Sequence, residues 1–295
     1  MTMALSAPAT TKDRSPAARR FRGRSRLAWV ADHCVAIVLV LVFLGPFVFI
    51  VLQSFMSNTQ ALTSNLWPQA WHPENYVEVF SKAPLLVYFR NTIVYAGLAT
   101  LFMLMSSIPA AYAMSRLRWK GRNLALLFVL MMMMLPPQVT QVPIYVMWSK
   151  LHLTGSLWPL ILPNLLGDAF SIFLLRQFFL TIPEEYSAAA RVDGCSEWKV
   201  MTRVIVPMAK PGIAATSLFM FFFCWNDFYG PLLYTSENSD NWTVSLGLAS
   251  FRSLYQVQWN LTMAATVLAT IPLLILFFFA QKVFVEGVTL TGVKG

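Results

Sequence analysis

Two aspartates lie inside long apolar stretches of this 295-residue sequence, where few other side chains can do chemistry. Asp168 is the only acidic residue in the stretch 157–175, and Asp227 is the only one in the stretch 212–234. A charged side chain at the centre of a membrane span costs about 2.5 to 3.5 kcal/mol on insertion scales, so each should face protein or a water-filled cavity. Both are therefore candidates for a translocation path.

Asp227 has the stronger claim to such a path because of its neighbours. Trp225, Asn226 and Tyr229 surround it, and a site for a hydroxyl-rich solute combines aromatic rings with carboxylate and amide groups. A structural role in hydrogen bonds between helices, near the outer end of the span, is an equal alternative for Asp227. For Asp168 the structural role is the favoured interpretation.

Two glutamines, Gln138 and Gln141, follow the Pro136-Pro137 pair inside another apolar stretch. Prolines break a helix and free backbone carbonyls, which then need a cavity or a neighbouring helix. The glutamines are therefore candidates for lining the same path, although a kink that serves packing explains the prolines equally well. The run 131–134, four consecutive methionines, indicates adaptable packing rather than a metal site.

The remaining reactive side chains do not form a catalytic or metal-binding pattern. The three cysteines are far from one another, the three histidines occur singly, and no cluster of these residues has ligand spacing: Cys34, Cys195, Cys224, His33, His72 and His152. No Gly-x-x-x-x-Gly-Lys-Ser/Thr phosphate loop occurs, so the chain cannot hydrolyse ATP by that route. The sequence therefore predicts neither an enzyme nor a cofactor held by this chain.

The candidate residues lie in or next to six long apolar stretches. The number and length of these stretches indicate the fold class. The chain is 57% hydrophobic and 12% charged, whereas soluble chains are about 25% charged, and its mean hydropathy is +0.59. Each stretch is close to the roughly 20 residues that cross a bilayer. The predicted spans are 34–52, 92–114, 124–148, 157–175, 212–234 and 261–280. The sequence thus predicts an all-α integral membrane protein with six transmembrane helices in a lipid bilayer.

The net charge of +9 reports orientation rather than binding of nucleic acid. All Lys and Arg residues except Lys82, Arg90, Lys150 and Arg252 lie in the two tails, the second-to-third connection and the fourth-to-fifth connection. The positive-inside rule then places both termini in the cytoplasm. We divide the chain into a disordered basic tail (1–26), a transmembrane domain (27–285) and a cytoplasmic carboxyl tail (286–295). The basic tail acts as a topology signal or binds anionic lipid.

One cytoplasmic connection, 181–211, is long enough to carry structure of its own. Pro183 suits a first helical position, and Glu184 and Glu185 favour the positive end of the helix dipole. The Asp193-Gly194 pair should end this helix, since glycine readily takes the left-handed conformation of a helix end. The connection therefore predicts a short helix followed by a turn.

A second short helix should follow, capped by Ser196 and ending at Pro207. The three alanines of the first helix, Ala188, Ala189 and Ala190, leave a shallow face. We expect a partner surface to pack closely against that face.

The connection resembles the EAA loop of the permease subunits of binding-protein-dependent ABC importers. That pattern runs approximately Pro-x-x-x-x-Glu-Ala-Ala-x-x-Asp-Gly-Ala and later x-Leu-Pro. The positions that match are Pro183, Ala189, Ala190, Asp193, Gly194, Ile205 and Pro207. The segment Cys224-Trp-Asn-Asp-Phe and the ending Glu286-Gly-Val-Thr-Leu-Thr-Gly-Val-Lys-Gly are also similar to the carbohydrate, maltose-permease type of this family.

One position departs from the pattern, because Ala188 stands where the family has the Glu of Glu-Ala-Ala. If that carboxylate normally pairs with a basic residue of an ATPase, this chain must make the contact through Glu184 or Glu185, or leave it to a partner permease.

The resemblance implies a six-span permease of the type I ABC importer fold in the inner membrane of a prokaryote. Its implied partners are a second homologous permease, two ATP-binding cassette subunits that hold ATP and Mg, and an extracytoplasmic solute-binding protein. It assigns coupling to the ATPases to Glu184, Glu185, Ala188, Ala189, Ala190, Asp193, Gly194 and Cys195. The implied function is import of a sugar or oligosaccharide by alternating access.

Two alternatives stay open at this point. An ion-coupled secondary transporter would explain Asp168 and Asp227, but it would leave the 181–211 connection and the sugar-permease-like ending unexplained. An ABC permease for glycerol-phosphate-type or peptide solutes would share the architecture and differ only in its solute.

Overall fold

The computed structural model describes residues 26–251 and 257–292, with side chains placed for residues 29–251 and 257–281. The regular elements in these ranges are helices, without a β-strand, so the all-α prediction is confirmed there. The chain divides into two units, residues 1–48 and 49–295. The predicted basic tail lies outside the described residues, apart from Arg26.

The first helix, α1 (Arg26–Ser54), supplies the described part of the first unit as far as Val48. Residues Trp29–Ser54 have a mean hydropathy of 3.2 over their most apolar window, enough to cross a membrane. This confirms the first predicted span. At about 1.5 Å per residue, the helix is roughly 44 Å long, which exceeds the hydrocarbon thickness of a bilayer.

Two short helices open the second unit, α2 (Asn58–Ala61) and α3 (Asn75–Lys82). Asn75, at the start of α3, donates to the backbone carbonyls of Ser54 and Met56, at 2.9 Å each. These bonds satisfy two backbone acceptors where the chain leaves a helix, and they fold the segment back on itself.

The central element of the second unit is α4 (Leu85–Arg116), a 32-residue helix that contains the predicted second span. Ala96, Ala99, Ser107 and Ala111 are completely buried along it. Small side chains let neighbouring helices approach closely in a membrane, where packing rather than water exclusion holds helices together. Helices described below pack along much of the length of α4.

The third predicted span is broken into α5 (Arg122–Met134) and α6 (Pro137–Lys150), which meet at 92°. Proline lacks an N–H donor and disfavours a helical conformation in the residue before it. Leu135 is accordingly extended, with φ −75° and ψ 118°. The predicted break at Pro136-Pro137 is therefore confirmed.

The fourth predicted span begins with α7 (Trp158–Ile161) and a 3₁₀ turn (Leu162–Leu166), and it continues as α8 (Ala169–Thr181). The two parts meet at 40°. Gly167, with φ +99°, makes the bend between them, in a conformation that a residue with a Cβ rarely adopts.

The long connection forms α9 (Glu184–Val192) and α10 (Glu197–Val200), and a π-helical turn continues α10 into α11 (Val206–Met208). An 80° bend then leads into α12 (Lys210–Asn226).

The predicted fifth span, 212–234, is not one continuous helix. It breaks after Asn226, and α13 (Tyr229–Thr235) follows. The chain then forms α14 (Val244–Ser250) and α15 (Trp259–Gly292), which contains the predicted sixth span and runs past the predicted boundary at residue 286.

Within the described residues, three helices are each long and apolar enough to cross a membrane, and up to six spans result if each bent pair counts as one. The upper number equals the number of predicted spans, but the bent pair that would be the fifth span joins Glu197–Met208 to Lys210–Asn226, whereas the predicted fifth span is 212–234. The orientation of the termini stays a prediction.

Candidate functional site

The predicted short helix and its turn are present in the long connection. Pro183 is the N-cap residue of α9 rather than its first helical residue, and Asp193 is the C-cap residue that follows Val192. Gly194 follows with φ +80°. The N–H of Cys195 donates to the carbonyl of Ala190 at 3.0 Å, so the turn satisfies a free carbonyl at the end of the helix.

The three alanines of α9 do not share one exposed face. Ala188 and Ala189 are exposed, whereas Ala190 is 9% exposed and packs in an apolar cluster with Phe179 and Ile205. Positions three apart share a helix face, and Ser187, also buried, lies on the same side as Ala190. The exposed small-residue face therefore consists of Ala188 and Ala189, without Ala190, and contact of this face with a partner stays a prediction.

A network of charged side chains holds α9 at both ends. Glu184 Oε2 accepts from Arg116 Nη1 at 2.8 Å, and Glu184 Oε1 accepts from Arg191 Nη1 at 3.0 Å. Arg191 Nε in turn donates to Glu197 Oε1 at 2.7 Å, and the Tyr112 hydroxyl donates to Glu197 Oε2 at 2.5 Å. Arg116 and Tyr112 both belong to α4, so the network joins α9 to a predicted membrane span.

The two carboxylates of this network are charged at neutral pH. Partial burial acts to raise the pKa of Glu184, but hydrogen bonds from Arg191 and Arg116 outweigh burial and lower the pKa from its ordinary value of 4.5. The hydrogen bonds from Arg191 and Tyr112 lower the pKa of Glu197 in the same direction.

Position 188 is alanine where the family pattern has glutamate, and Glu184 and Glu185 were the residues predicted to make the contact of that glutamate. The contacts of α9 distinguish between these two candidates. Glu184 is already bound to Arg116 and Arg191, so its oxygens are occupied within this chain. Glu185 is exposed on the same first turn of α9. Of the two candidates, Glu185 is therefore the one whose carboxylate has access to a partner.

The second short helix differs from the prediction in two details. Ser196 occupies the N-cap position, but its side chain makes no capping hydrogen bond. Pro207 lies inside α11, so the helical segment ends at Met208. Pro207 lacks an N–H donor, and it directly follows the π-helical turn Met201–Ile205 and Val206, where the backbone hydrogen bonds already depart from the α-helical pattern.

A cavity of about 200 Å³ gathers several of the predicted path residues. Its lining residues come from α6 and α13: Pro137, Gln138, Thr140, Gln141, Ile144, Tyr229, Gly230, Leu233 and Tyr234. The Tyr229 hydroxyl donates to Gln141 Oε1 at 2.8 Å. The rings of Tyr145 and Tyr234 stack with centroids 6.0 Å apart. The structure thus brings Gln138, Gln141 and Tyr229 together.

Asp227 is not among the residues that line this cavity, and both of its carboxylate oxygens are bound by protein. The Tyr95 hydroxyl donates to Oδ2 at 3.0 Å, and the N–H of Gly230 donates to Oδ1 at 3.0 Å. A Cβ on Gly230 would lie 2.5 Å from Asp227 Oδ2, so only glycine allows this close approach. The contacts match the structural alternative, in which Asp227 ties α4 to the start of α13.

Three other candidates are not among the residues that line the cavity. Trp225 is 3% exposed, and its indole N–H donates to the carbonyl of Ala269 at 3.2 Å, so the ring packs within the protein. Asn226 is exposed and donates to the carbonyl of Phe222. Asp168 is the N-cap residue of α8. Trp225, Asn226 and Asp168 therefore lie outside this cavity, and the grouping of Trp225 and Asn226 with Asp227 around a solute stays a prediction.

Asp168 accepts from the backbone N–H of Ser171 at 2.8 Å, which satisfies one of the free donors at the start of α8. This is the structural role that the sequence favoured. Among the described residues, no group of three or more His, Cys, Asp or Glu side chains could hold a metal ion.

Sequence reasoning missed three residues of these sites. Tyr95 lies 132 positions from Asp227, and Arg116 lies 68 positions from Glu184. In the sequence, Tyr95 was one residue of the second predicted span, and Arg116 was one of the basic residues that indicate the cytoplasmic side. Tyr234, which forms part of the cavity wall, follows Tyr229 by five positions, and its aromatic type was the available signal.

Comparison with known proteins finds one matching family and similar permease proteins. Residues 103–290 match the family described as binding-protein-dependent transport system inner membrane component. The chain is 34% identical over 265 residues to the trehalose/maltose transport system permease protein of Thermococcus litoralis, covering 88% of this chain and 95% of that protein. It is 30% identical over 275 residues to an arabinooligosaccharides transport system permease protein of Halalkalibacterium halodurans, covering 91% and 97%.

A solved structure shares the fold. It is a chain of a bacterial ABC transporter involved in the import of the acidic polysaccharide alginate, with a TM-score of 0.76 and 21% sequence identity. The similarity covers 91% of this chain and 99% of that chain.

Proposed function

This chain belongs to the binding-protein-dependent transport system inner membrane component family, and we propose that it is the permease subunit of an ATP-driven sugar importer. It translocates a sugar or oligosaccharide across the cytoplasmic membrane of a prokaryote by alternating access. A second permease, two ATP-binding cassette subunits and an extracytoplasmic solute-binding protein complete the complex. ATP and Mg bind to the ATPase subunits.

The exposed helix α9 carries this proposal. Ala188 and Ala189 present a shallow surface, which a groove on another protein can approach closely. Glu184 accepts a charge-assisted hydrogen bond from Arg116, and Arg191 donates one to Glu197, so the helix is fixed to the rest of the second unit. A small exposed helix held in this way suits a docking element for ATPase subunits, and the sequence has no Gly-x-x-x-x-Gly-Lys-Ser/Thr phosphate loop of its own.

The cavity between α6 and α13 supports a sugar as the solute. Gln138, Gln141 and Tyr229 offer amide and hydroxyl groups that can bind sugar hydroxyls, and Tyr234 offers an aromatic wall. No Lys or Arg is among the residues that line this cavity, which disfavours a phosphorylated solute. The names of the two relatives, for trehalose/maltose and for arabinooligosaccharides, support the same class.

The test is a reconstituted complex in liposomes, with solute uptake and ATP hydrolysis measured together. Ala189→Trp adds bulk to the exposed face of α9, and Ala70→Trp makes the same change at an exposed position between α2 and α3 as a control. We expect Ala189→Trp to release the ATPases or to leave hydrolysis without uptake, while Ala70→Trp transports normally. Normal transport by Ala189→Trp would refute docking at this face.

The same preparation tests the solute and the energy source. With the binding protein present, we expect maltose-type or arabinose-type oligosaccharides to raise ATP hydrolysis, while glycerol phosphates and peptides do not. Uptake that follows a proton or sodium gradient and continues without ATP would instead establish the secondary-transporter alternative.

A further inference from the structure

We propose that Arg116 is a positioning residue that joins helix α9 rigidly to α4, so that the two helices move as one body when the ATPases move α9. The proposal rests on the proposed function, because it assumes that α9 is the docking element. It explains how a movement of α9 is transmitted to the predicted membrane spans.

Arg116 is the last residue of α4, and its side chain is only 3% exposed. Its Nη2 donates to the carbonyl of Phe179 and, at 2.5 Å, to the carbonyl of Ile182. Its Nη1 donates to Glu184 Oε2 at 2.8 Å. Phe179 lies in the last turn of α8 and Ile182 is the C-cap residue of that helix, so one guanidinium binds the end of α8 and the first residue of α9 at once.

A second tie joins the other end of α9 to the same helix. Tyr112, one turn before Arg116 on α4, binds Glu197, and Glu197 binds Arg191 in the last turn of α9. The first and last turns of α9 are therefore both fixed to α4. Rotation or sliding of α9 against α4 would break charge-assisted hydrogen bonds at both ends, and such bonds are roughly twice as strong as neutral ones.

The chemistry of this contact requires arginine. A planar guanidinium presents its donors in a fixed fork, so it reaches two carbonyls and a carboxylate in different directions. A lysine ammonium is a single point on a flexible stem and cannot hold the three helices in one geometry. The surroundings are the apolar cluster of Phe179, Ile182 and Ala190, where an arginine without its carboxylate would be an uncompensated charge.

The direct test measures the distance between α4 and α9 in the intact complex. Spin labels are placed at Met105 on α4 and Val192 on α9, both exposed, in a background without Cys34, Cys195 and Cys224. We expect one narrow distance distribution that is the same with and without bound ATP analogue. A distribution that shifts when nucleotide binds would overturn the proposal, because α9 would then move against α4.

A functional test breaks the network from its exposed side. The Glu184 side chain is 54% exposed, and Glu184→Gln removes its charge while the amide oxygen can still accept a hydrogen bond from Arg116, which limits the cost to folding. We expect it to lower the number of solutes moved per ATP by roughly 3- to 10-fold, the scale of one partly exposed charged hydrogen bond, with the ATPases retained. Glu78→Gln is the matched control, since Glu78 is 44% exposed and paired with Lys82 at 3.8 Å.

Arg116→Gln, alone and with Glu184→Gln, shows whether the two residues act as one unit. If they do, the double variant loses no more coupling than the worse single variant, whereas independent losses would multiply and refute the tie. Should Arg116→Gln fail to insert, Arg191→Gln takes its place in the same cycle. If Glu184→Gln moves as many solute molecules per ATP as the wild type does, the tie through Arg116 is also refuted.

The outcomes separate this proposal from the proposed function. If Ala189→Trp uncouples the complex but Glu184→Gln does not, α9 is the docking element and the tie through Arg116 is wrong. If Ala189→Trp transports normally, docking at α9 is wrong as well.

Discussion

Replacing Gly194 with valine tests whether the turn after α9 sets the position of that helix. The residue has φ +80°, and a Cβ built on it would have no other atom within 4 Å. A larger side chain therefore has room, and the cost of the change is the cost of the backbone conformation alone. This makes Gly194 a clean position for separating strain from steric overlap.

The size of the effect follows from that geometry. The left-handed conformation costs an ordinary L-residue roughly 1 to 2 kcal/mol, and β-branched residues are the least tolerant of it. A cost of that size changes the equilibrium constant between the native turn and other conformations by about 5- to 30-fold. Asparagine visits this region most readily after glycine, so we expect the loss to increase in the order Gly194→Asn, Gly194→Ala, Gly194→Val.

The assay is solute uptake and ATP hydrolysis by the reconstituted complex, with retention of the ATPases measured by copurification. Gly155→Val is the matched control, because Gly155 has φ +77° and only the Cβ of Asn238 near its own Cβ position, at 3.9 Å. It lies in the connection between the third and fourth predicted spans. We expect Gly194→Val to uncouple hydrolysis from uptake and Gly155→Val to lower stability without uncoupling. Normal transport by Gly194→Val with its ATPases bound would refute the reasoning.

Four further outcomes are expected. Ala188→Glu, which introduces the carboxylate of the family pattern at an exposed position, should keep or increase the fraction of ATPase that copurifies; loss of the ATPase would contradict this. Gln141→Leu removes the acceptor of a hydrogen bond in the cavity and should raise the solute concentration for half-maximal ATPase stimulation by roughly 2- to 10-fold, and no change would place the solute elsewhere. A single cysteine at Ser196 should resist an impermeant thiol reagent in intact cells and one at Ser64 should react, whereas the reverse pattern would invert the topology. The pKa of Glu184 is lowered on folding from 4.5, so the stabilising effect of its charged form is complete above that pH and is lost as pH falls through the lowered value. The difference in thermal midpoint between wild type and Glu184→Gln should therefore shrink below about pH 4.5. A difference that grows there would contradict the assignment.

Local properties of the chain were readable from the sequence. A bilayer demands about 20 apolar residues in succession, so the six stretches indicated the spans without knowledge of packing. The break at Pro136-Pro137 and the turn at Gly194 follow from the backbone restrictions of single residues. The bounds of α9 depend on its own first and last residues, which is why the short helix was predicted nearly as it is found.

Which residues meet was decided only by the tertiary structure. Arg116 and Glu184 lie 68 positions apart, and nothing in their spacing distinguishes this arginine from the others that mark the cytoplasmic side. The direction of Ala190 was also beyond the sequence, because all three alanines have the same side chain and only the position of the core selects which one is buried. Trp225 was predicted to stack on a solute, but in the structure its ring is enclosed where α12 packs against α15. Aromatic and charged side chains serve a core or a site equally well, and burial, which depends on residues distant in the chain, determines which role they have.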